Sequence, residues 1–231
     1  FTGLLPTLAE IAAFESDYKN DPDAAYTKRV DRLLASPHFG EKWARWWMDL
    51  AHYGDSDGYL TDQLRPVAWR WRQWVVEAFN RNLPFDQFTA EQLAGDLLPN
   101  ATMNQKIASG YNRLLQTSHE GGVQMKEYLA KYSADRVRNV SNVWLGATMG
   151  CSECHDHKYD PITQREFYQL RAFFESDLQL KEKKTGKLTA RVMQRGKPIS
   201  THRMIRGDFR RPGEIVRADY PAVANRPGIH P

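Results

Sequence analysis

Cys151-Ser152-Glu153-Cys154-His155 is the stretch from which the rest of the chain is read. It has the C-x-x-C-H spacing that attaches a c-type haem. Two thiols three positions apart can reach the two vinyl-derived carbons of one porphyrin. The adjacent imidazole then falls under the iron as its axial ligand. The chain has 2 cysteines, and both lie inside the motif. Two other chemistries use the same residues. Cys151, Cys154, His155 and His157 are a thiolate and imidazole set of the kind that holds zinc. The thiols alone could form a small, strained disulfide or stay inert.

Working outward, most of the sequence has helical spacing. Gly150 delivers the chain to the motif from the longest such pattern, about Met125 to Ala147, with Leu129, Tyr132, Val137, Val140, Val143 and Trp144 among its apolar positions. After the motif, Thr163 and Glu166 form a capping box ahead of Phe167, Leu170, Phe173 and Phe174. At the other end, Thr7 and Glu10 make a second capping box. Asp21-Pro22 opens a helix to about Ala35, which Ser36-Pro37 is expected to break. Further helices are predicted over about 40–53, 66–80, 86–97 and 103–115, with a polar turn region over 54–65. A charged linker spans 177–189. Beyond it, Ala190 to Gln194 and Thr201 to Arg206 read as short strands, followed by aperiodic coil rich in proline, glycine and arginine. The expected fold class is mainly α: an irregular helical domain over 1–176, then the linker, then a short β and coil extension over 190–231.

Composition narrows the function classes. The chain has 231 residues, is 41% apolar and carries a formal charge of +4. That is enough to build a core. No apolar run approaches the roughly 18 residues that span a bilayer. The opening Phe1-Thr2-Gly3-Leu4-Leu5-Pro6 lacks a basic, then apolar leader. It reads as a mature or internal stretch whose export signal lay upstream, since haem c is attached outside the cytoplasm. The arginines at 203, 206, 210, 211 and 217 lack the aromatic interleaving of a nucleic-acid reader. They read as a solvated basic tail or as a surface for an acidic redox partner.

Four segments together carry a family resemblance: 29–59 (RVDRLLASPHFGEKWARWWMDLAHYGDSDGY), 68–99 (AWRWRQWVVEAFNRNLPFDQFTAEQLAGDLLP), 120–174, which contains GCSECHDHKYDPITQREFYQL, and 201–214 (THRMIRGDFRRPGE). The chain resembles the planctomycete cytochrome c family of multidomain exported proteins. Residues 1–176 look like its C-x-x-C-H-bearing second domain, and residues from about 190 like the opening of its companion C-terminal domain. The joining stretch is shorter than is usual there, as in a truncated chain or one lacking residues between the two parts. The resemblance implies an extracytoplasmic, haem-associated protein whose partner is a redox protein or a neighbouring haem domain.

Cys151 and Cys154 would hold the haem, and His155 its iron. His119, in a polar turn, is the first candidate for sixth ligand, with His52, His202, Met149 and Met125 behind it. A methionine there raises the potential and a second histidine lowers it. An open sixth position would instead suit a haem enzyme acting on small ligands. His157, with Asp156 and Asp160, is expected to orient His155 or to hold a second metal. Lys158 and Arg165 could pair carboxylates of the haem. Asp55-Ser56-Asp57-Gly58, with Asp62, departs from a calcium loop at Tyr59 and Pro66, and reads as a turn between helices. Trp43, Trp46, Trp47, Tyr53, Trp69, Trp71 and Trp74 read as helical core, as the wall of a macrocycle pocket or as sugar-stacking rings. The expectation is a haem c electron-transfer domain. The alternatives are the open-iron enzyme and a non-catalytic module with a Cys/His zinc site.

Overall fold

The computed structural model describes residues 1–118, 120, 122, 124–175 and 200–224. The linker 177–189 and the strand expected over Ala190 to Gln194 lie outside the described residues. Among those described, the chain is mainly helical, with one two-stranded sheet near its C-terminal end. Among the described residues, no helix is long and apolar enough to cross a membrane. The chain divides into two compact units, residues 1–51 with 67–111, and residues 52–66 with 112–231.

The first unit holds α1 (Leu8–Asn20), α2 (Pro22–Leu34), α3 (Pro37–Leu50), α4 (Ala68–Asn80), α5 (Phe85–Ala94) and α6 (Met103–Ala108). Its caps are mostly legible in sequence. Thr7 and Glu10 close the capping box of α1, and Asp21 accepts from the Ala24 N–H at the start of α2. Ser36-Pro37 does more than break α2. The Ser36 hydroxyl accepts from the His38 N–H and Pro37 takes the first turn, so α3 starts about three residues earlier than the spacing suggested. Conversely, α4 starts at Ala68 rather than Pro66.

Close approach of α3 and α4 depends on one glycine. A Cβ on Gly40 would lie 2.3 Å from the Val76 carbonyl oxygen. The Gly40 N–H donates to Asn80 Oδ1 at 2.7 Å, and Asn80 Nδ2 donates back to the Pro37 carbonyl at 3.0 Å. Trp71, Trp74, Val75 and Ala78 form the buried face of α4. Trp74 stacks on Phe88 of α5 with ring centroids 5.4 Å apart, and Trp47 meets the same ring edge-on at 4.9 Å. Two of the three indole tips find acceptors: Trp47 Nε1 donates to Gln92 Oε1, and Trp71 Nε1 to the Ala108 carbonyl, each at 3.1 Å, whereas Trp74 Nε1 is buried without a hydrogen-bond partner. Core packing therefore accounts for Trp47, Trp71 and Trp74, while Trp43, Trp46 and Trp69 remain 42–50% exposed.

The second unit is built on α7 (Met125–Val140) and α8 (Gln164–Ala172), with β1 (Thr201–Met204) and β2 (Pro212–Val216). The strands pair antiparallel, with Thr201 opposite Val216 and His202 opposite Ile215. At its end α7 widens into a π turn over Ser141–Leu145. Gly146, at φ +61°, then closes it by donating its N–H to the Ser141 carbonyl. A 3₁₀ turn, Met149–Glu153, carries the chain into the cysteine motif. Val137, Val140, Met149, Ile162, Phe167, Tyr168 and Leu170 are buried in this unit. The 52–66 stretch is a hydrogen-bonded turn, as expected. Asp57 pairs with Arg65 Nε at 2.8 Å, Asp62 accepts from the Gly58 N–H at 2.7 Å, and Asp55 accepts from the Tyr53 hydroxyl at 2.5 Å. Each of these carboxylates is spent within the turn.

Candidate functional site

The second unit presents the motif at its surface. Cys151 and Cys154 are both exposed and unbridged. Ser152, between them, is fully buried, and its hydroxyl donates to the Ile162 carbonyl at 3.5 Å. Burying the serine turns the flanking thiols outward. The Cys154 and His155 N–H groups close the turn on the Cys151 carbonyl, at 3.2 and 3.4 Å.

The turn is braced from α8. The Glu153 carbonyl accepts from Tyr168 Oη and from Gln164 Nε2, each at 3.0 Å. Burial pushes the Tyr168 hydroxyl well above its ordinary range, so at neutral pH it remains a donor. The Glu153 side chain pairs with Arg138 of α7 at 2.5 Å. Gln164, Tyr168 and Arg138 were not foreseen. Gln164 follows the capping Thr163, and the sequence offers only a first-turn helix position. Its role depends on which carbonyls the fold brings to it.

Two histidines two residues apart are held in opposite tautomers. His155 Nδ1 lies 2.7 Å from the Asp156 carbonyl oxygen. A carbonyl only accepts, so Nδ1 carries the proton and the Nε2 lone pair stands on an exposed ring. His157 Nδ1 instead faces the N–H groups of Tyr159 at 3.3 Å and Asp160 at 2.8 Å. It accepts from both, so its proton sits on Nε2 and its lone pair is used. Asp160 Oδ2 is 3.3 Å from the same nitrogen, a contact that becomes an ion pair only on a protonated ring. The two amide donors fit the neutral ring better. His157, with its side chain 8% exposed, thus pins the 157–160 loop. The Asp156 carboxylate accepts from the Gln164 N–H at 2.8 Å and braces the start of α8.

The other candidates fall in different places. His119 lies outside the described residues, as does the Met125 side chain. Met149 is fully buried. His52 is exposed at φ +59°, with Nε2 3.5 Å from Asn139 Nδ2. His202 Nδ1 donates to the Gly213 carbonyl at 3.0 Å. Arg165 is paired with Glu214 at 2.8 Å rather than free for a ligand carboxylate, and Lys158 lies over the Tyr159 ring at 5.1 Å. A cavity of about 460 Å³ opens between Trp144, Met149, Ile162 and Val223, with Asp160 at its edge. The two thiols and His155 are not among its walls.

The ligand atoms suit a haem c. Both thiols are free and outward, and His155 offers Nε2 with Nδ1–H tied to a carbonyl, the usual bracing of a ligating imidazole. They suit zinc less well. Among the described residues, no three of His, Cys, Asp and Glu gather where they could hold a metal ion. His157, the fourth donor of that reading, has spent its lone pair on the loop.

The sequence model of the family described as PSCyt2, protein of unknown function (DUF1549), matches residues 1–178. The chain belongs to this family, whose name marks a planctomycete cytochrome-associated domain. No curated protein and no solved structure matches the chain.

Proposed function

We propose that this member of the PSCyt2 family is a haem c-binding domain working in electron transfer, outside the cytoplasm and within a larger protein or complex. The observation that carries the reading is the tautomer of His155. Its Nδ1–H is committed to the Asp156 carbonyl, which leaves Nε2 free beside two exposed thiols at C-x-x-C spacing. Cys151 and Cys154 would form the thioether bonds, each S–H adding across a carbon–carbon double bond with no net oxidation. His155 Nε2 would hold the iron. When bound, the group supplies one-electron chemistry at iron. The protein's part is to keep the turn in shape. Glu153 is held at its carbonyl by Gln164 and Tyr168 and at its side chain by Arg138. The partner is a redox protein or a neighbouring haem domain. An extracytoplasmic location follows from the proposed chemistry, because thioether attachment takes place there.

The test is export of the chain in a host that matures c-type cytochromes. The visible spectrum is recorded oxidised and reduced, beside a His155→Ala variant. A reversible c-type reduced band in the parent, altered or lost in the variant, supports the reading. A colourless, correctly folded parent sinks it.

A further inference from the structure

We infer that the β1–β2 hairpin is a wall of the thiol site, and that Gln164 and Gly207 are positioning residues for Cys154. The inference rests on the reading of Cys154 as an attachment thiol and adds what fixes its sulfur. The hairpin turn runs through Arg206 at φ +54° and Gly207 at φ +74°. A Cβ built on Gly207 would stand 2.8 Å from Cys154 Sγ and 3.5 Å from the Glu153 carbonyl oxygen. A side chain there would have to displace the sulfur or the turn, and the glycine also supplies the left-handed conformation the turn needs. Of the two sulfurs, that of Cys154 is among the three atoms nearest to this position.

A buried amide holds the contact in register. Gln164, 6% exposed, divides its two donors between the motif and the hairpin. Nε2 reaches the Glu153 carbonyl at 3.0 Å and the Met204 carbonyl, at the end of β1, also at 3.0 Å. Its Oε1 accepts from Arg203 Nη1 at 3.1 Å. A second tie runs from Arg165 on α8 to Glu214 on β2 at 2.8 Å. The turn itself is closed by the Ile205 N–H on the Arg211 carbonyl at 3.0 Å. One side of Cys154 Sγ is therefore covered by a surface turn clamped to the residue before it. A group joining this sulfur must come from the other side, with Cys151 the more accessible partner.

The test reads thiol access directly. The reduced full chain is treated with limiting iodoacetamide, and alkylation at each cysteine is measured by peptide mass mapping. The same ratio in denaturant gives the intrinsic reactivities. The folded protein is expected to show a Cys154-to-Cys151 ratio lower than the denatured one by roughly three-fold or more. Gln164→Ala unclasps the hairpin, and Gly207→Ala drives the turn off the sulfur. Both are expected to return the ratio toward the denatured value while helical circular dichroism is retained. If Gln164→Ala fails to fold, Gly207→Ala in the surface turn decides. Equal ratios in folded and denatured parent, or a ratio unmoved by the folded variants, overturns the inference. The assay needs no haem, so a haem-free chain would defeat the proposed function and leave this result standing.

Discussion

His155 and His157 differ in the job of a single lone pair. His155 gives its ring proton to a carbonyl and keeps Nε2 open, whereas His157 uses Nδ1 to collect two backbone N–H groups. Substitution should separate these roles. His157→Ala leaves two loop donors without their acceptor, and the expected loss of stability is about 1–2 kcal/mol in urea unfolding. His155→Ala removes one surface contact and should cost under about 1 kcal/mol, its effect falling on the bound group. Equal losses from the two would contradict the assignment. The motif itself was legible from residue types and spacing. The tautomers were not, because each depends on where the chain turns after Asp156 and brings the Tyr159 and Asp160 N–H groups back to the ring.

Among the elements, α8 reaches both the motif and the hairpin, through Gln164 and Tyr168. Burial alone would raise the Glu166 carboxyl, but the Thr163 and Ala222 N–H groups, each 2.7 Å away, outweigh it and hold the group below its ordinary range. The folded pKa thus lies under the unfolded one. The stabilisation is complete above the unfolded value of about 4.3 and disappears as pH falls through the folded value. Glu166→Gln should lose about 1–2 kcal/mol at neutral pH and flatten that acid step. An unchanged acid transition in the variant would refute the linkage. In the first unit, Gly40→Ala places a Cβ 2.3 Å from the Val76 carbonyl oxygen, and the separation of α3 from α4 should cost about 3 kcal/mol in thermal unfolding. A variant as stable as the parent would show that the helices do not meet so closely.

The caps explain why these elements could be found in sequence. Thr7 with Glu10, Asp21 with Pro22, and Thr163 with Glu166 all act locally, through N–H groups three residues away. Thr102 with Gln105 forms the same box at α6. The pairing of β2 with β1 was not visible, since it joins residues across a turn and gains its order from α8. The tryptophans were half legible. Trp71 and Trp74 follow helical core spacing, but nothing local distinguishes them from the exposed Trp43, Trp46 and Trp69.

For the whole molecule, the family match and the site do not end at the same residue. The match covers 1–178, yet the hairpin at 201–216 is bonded to α8, and a Cβ on its Gly207 would stand 2.8 Å from the motif's second sulfur. The described hairpin is therefore tied to the helix that braces the motif. No part of its sequence announced this, because Gly207 and Met204 matter only through Cys154 and Gln164. Two outward thiols and one imidazole with its Nδ1–H tied to a carbonyl are proposed to hold a haem covalently. The most direct measurement is denaturing mass spectrometry, with a pyridine haemochrome spectrum, on the chain exported in a host that matures c-type cytochromes. The account predicts one haem-sized increment with a c-type band in the parent and neither in the Cys151→Ala/Cys154→Ala double variant. An unmodified parent mass, or haem still attached after both cysteines are gone, would contradict it.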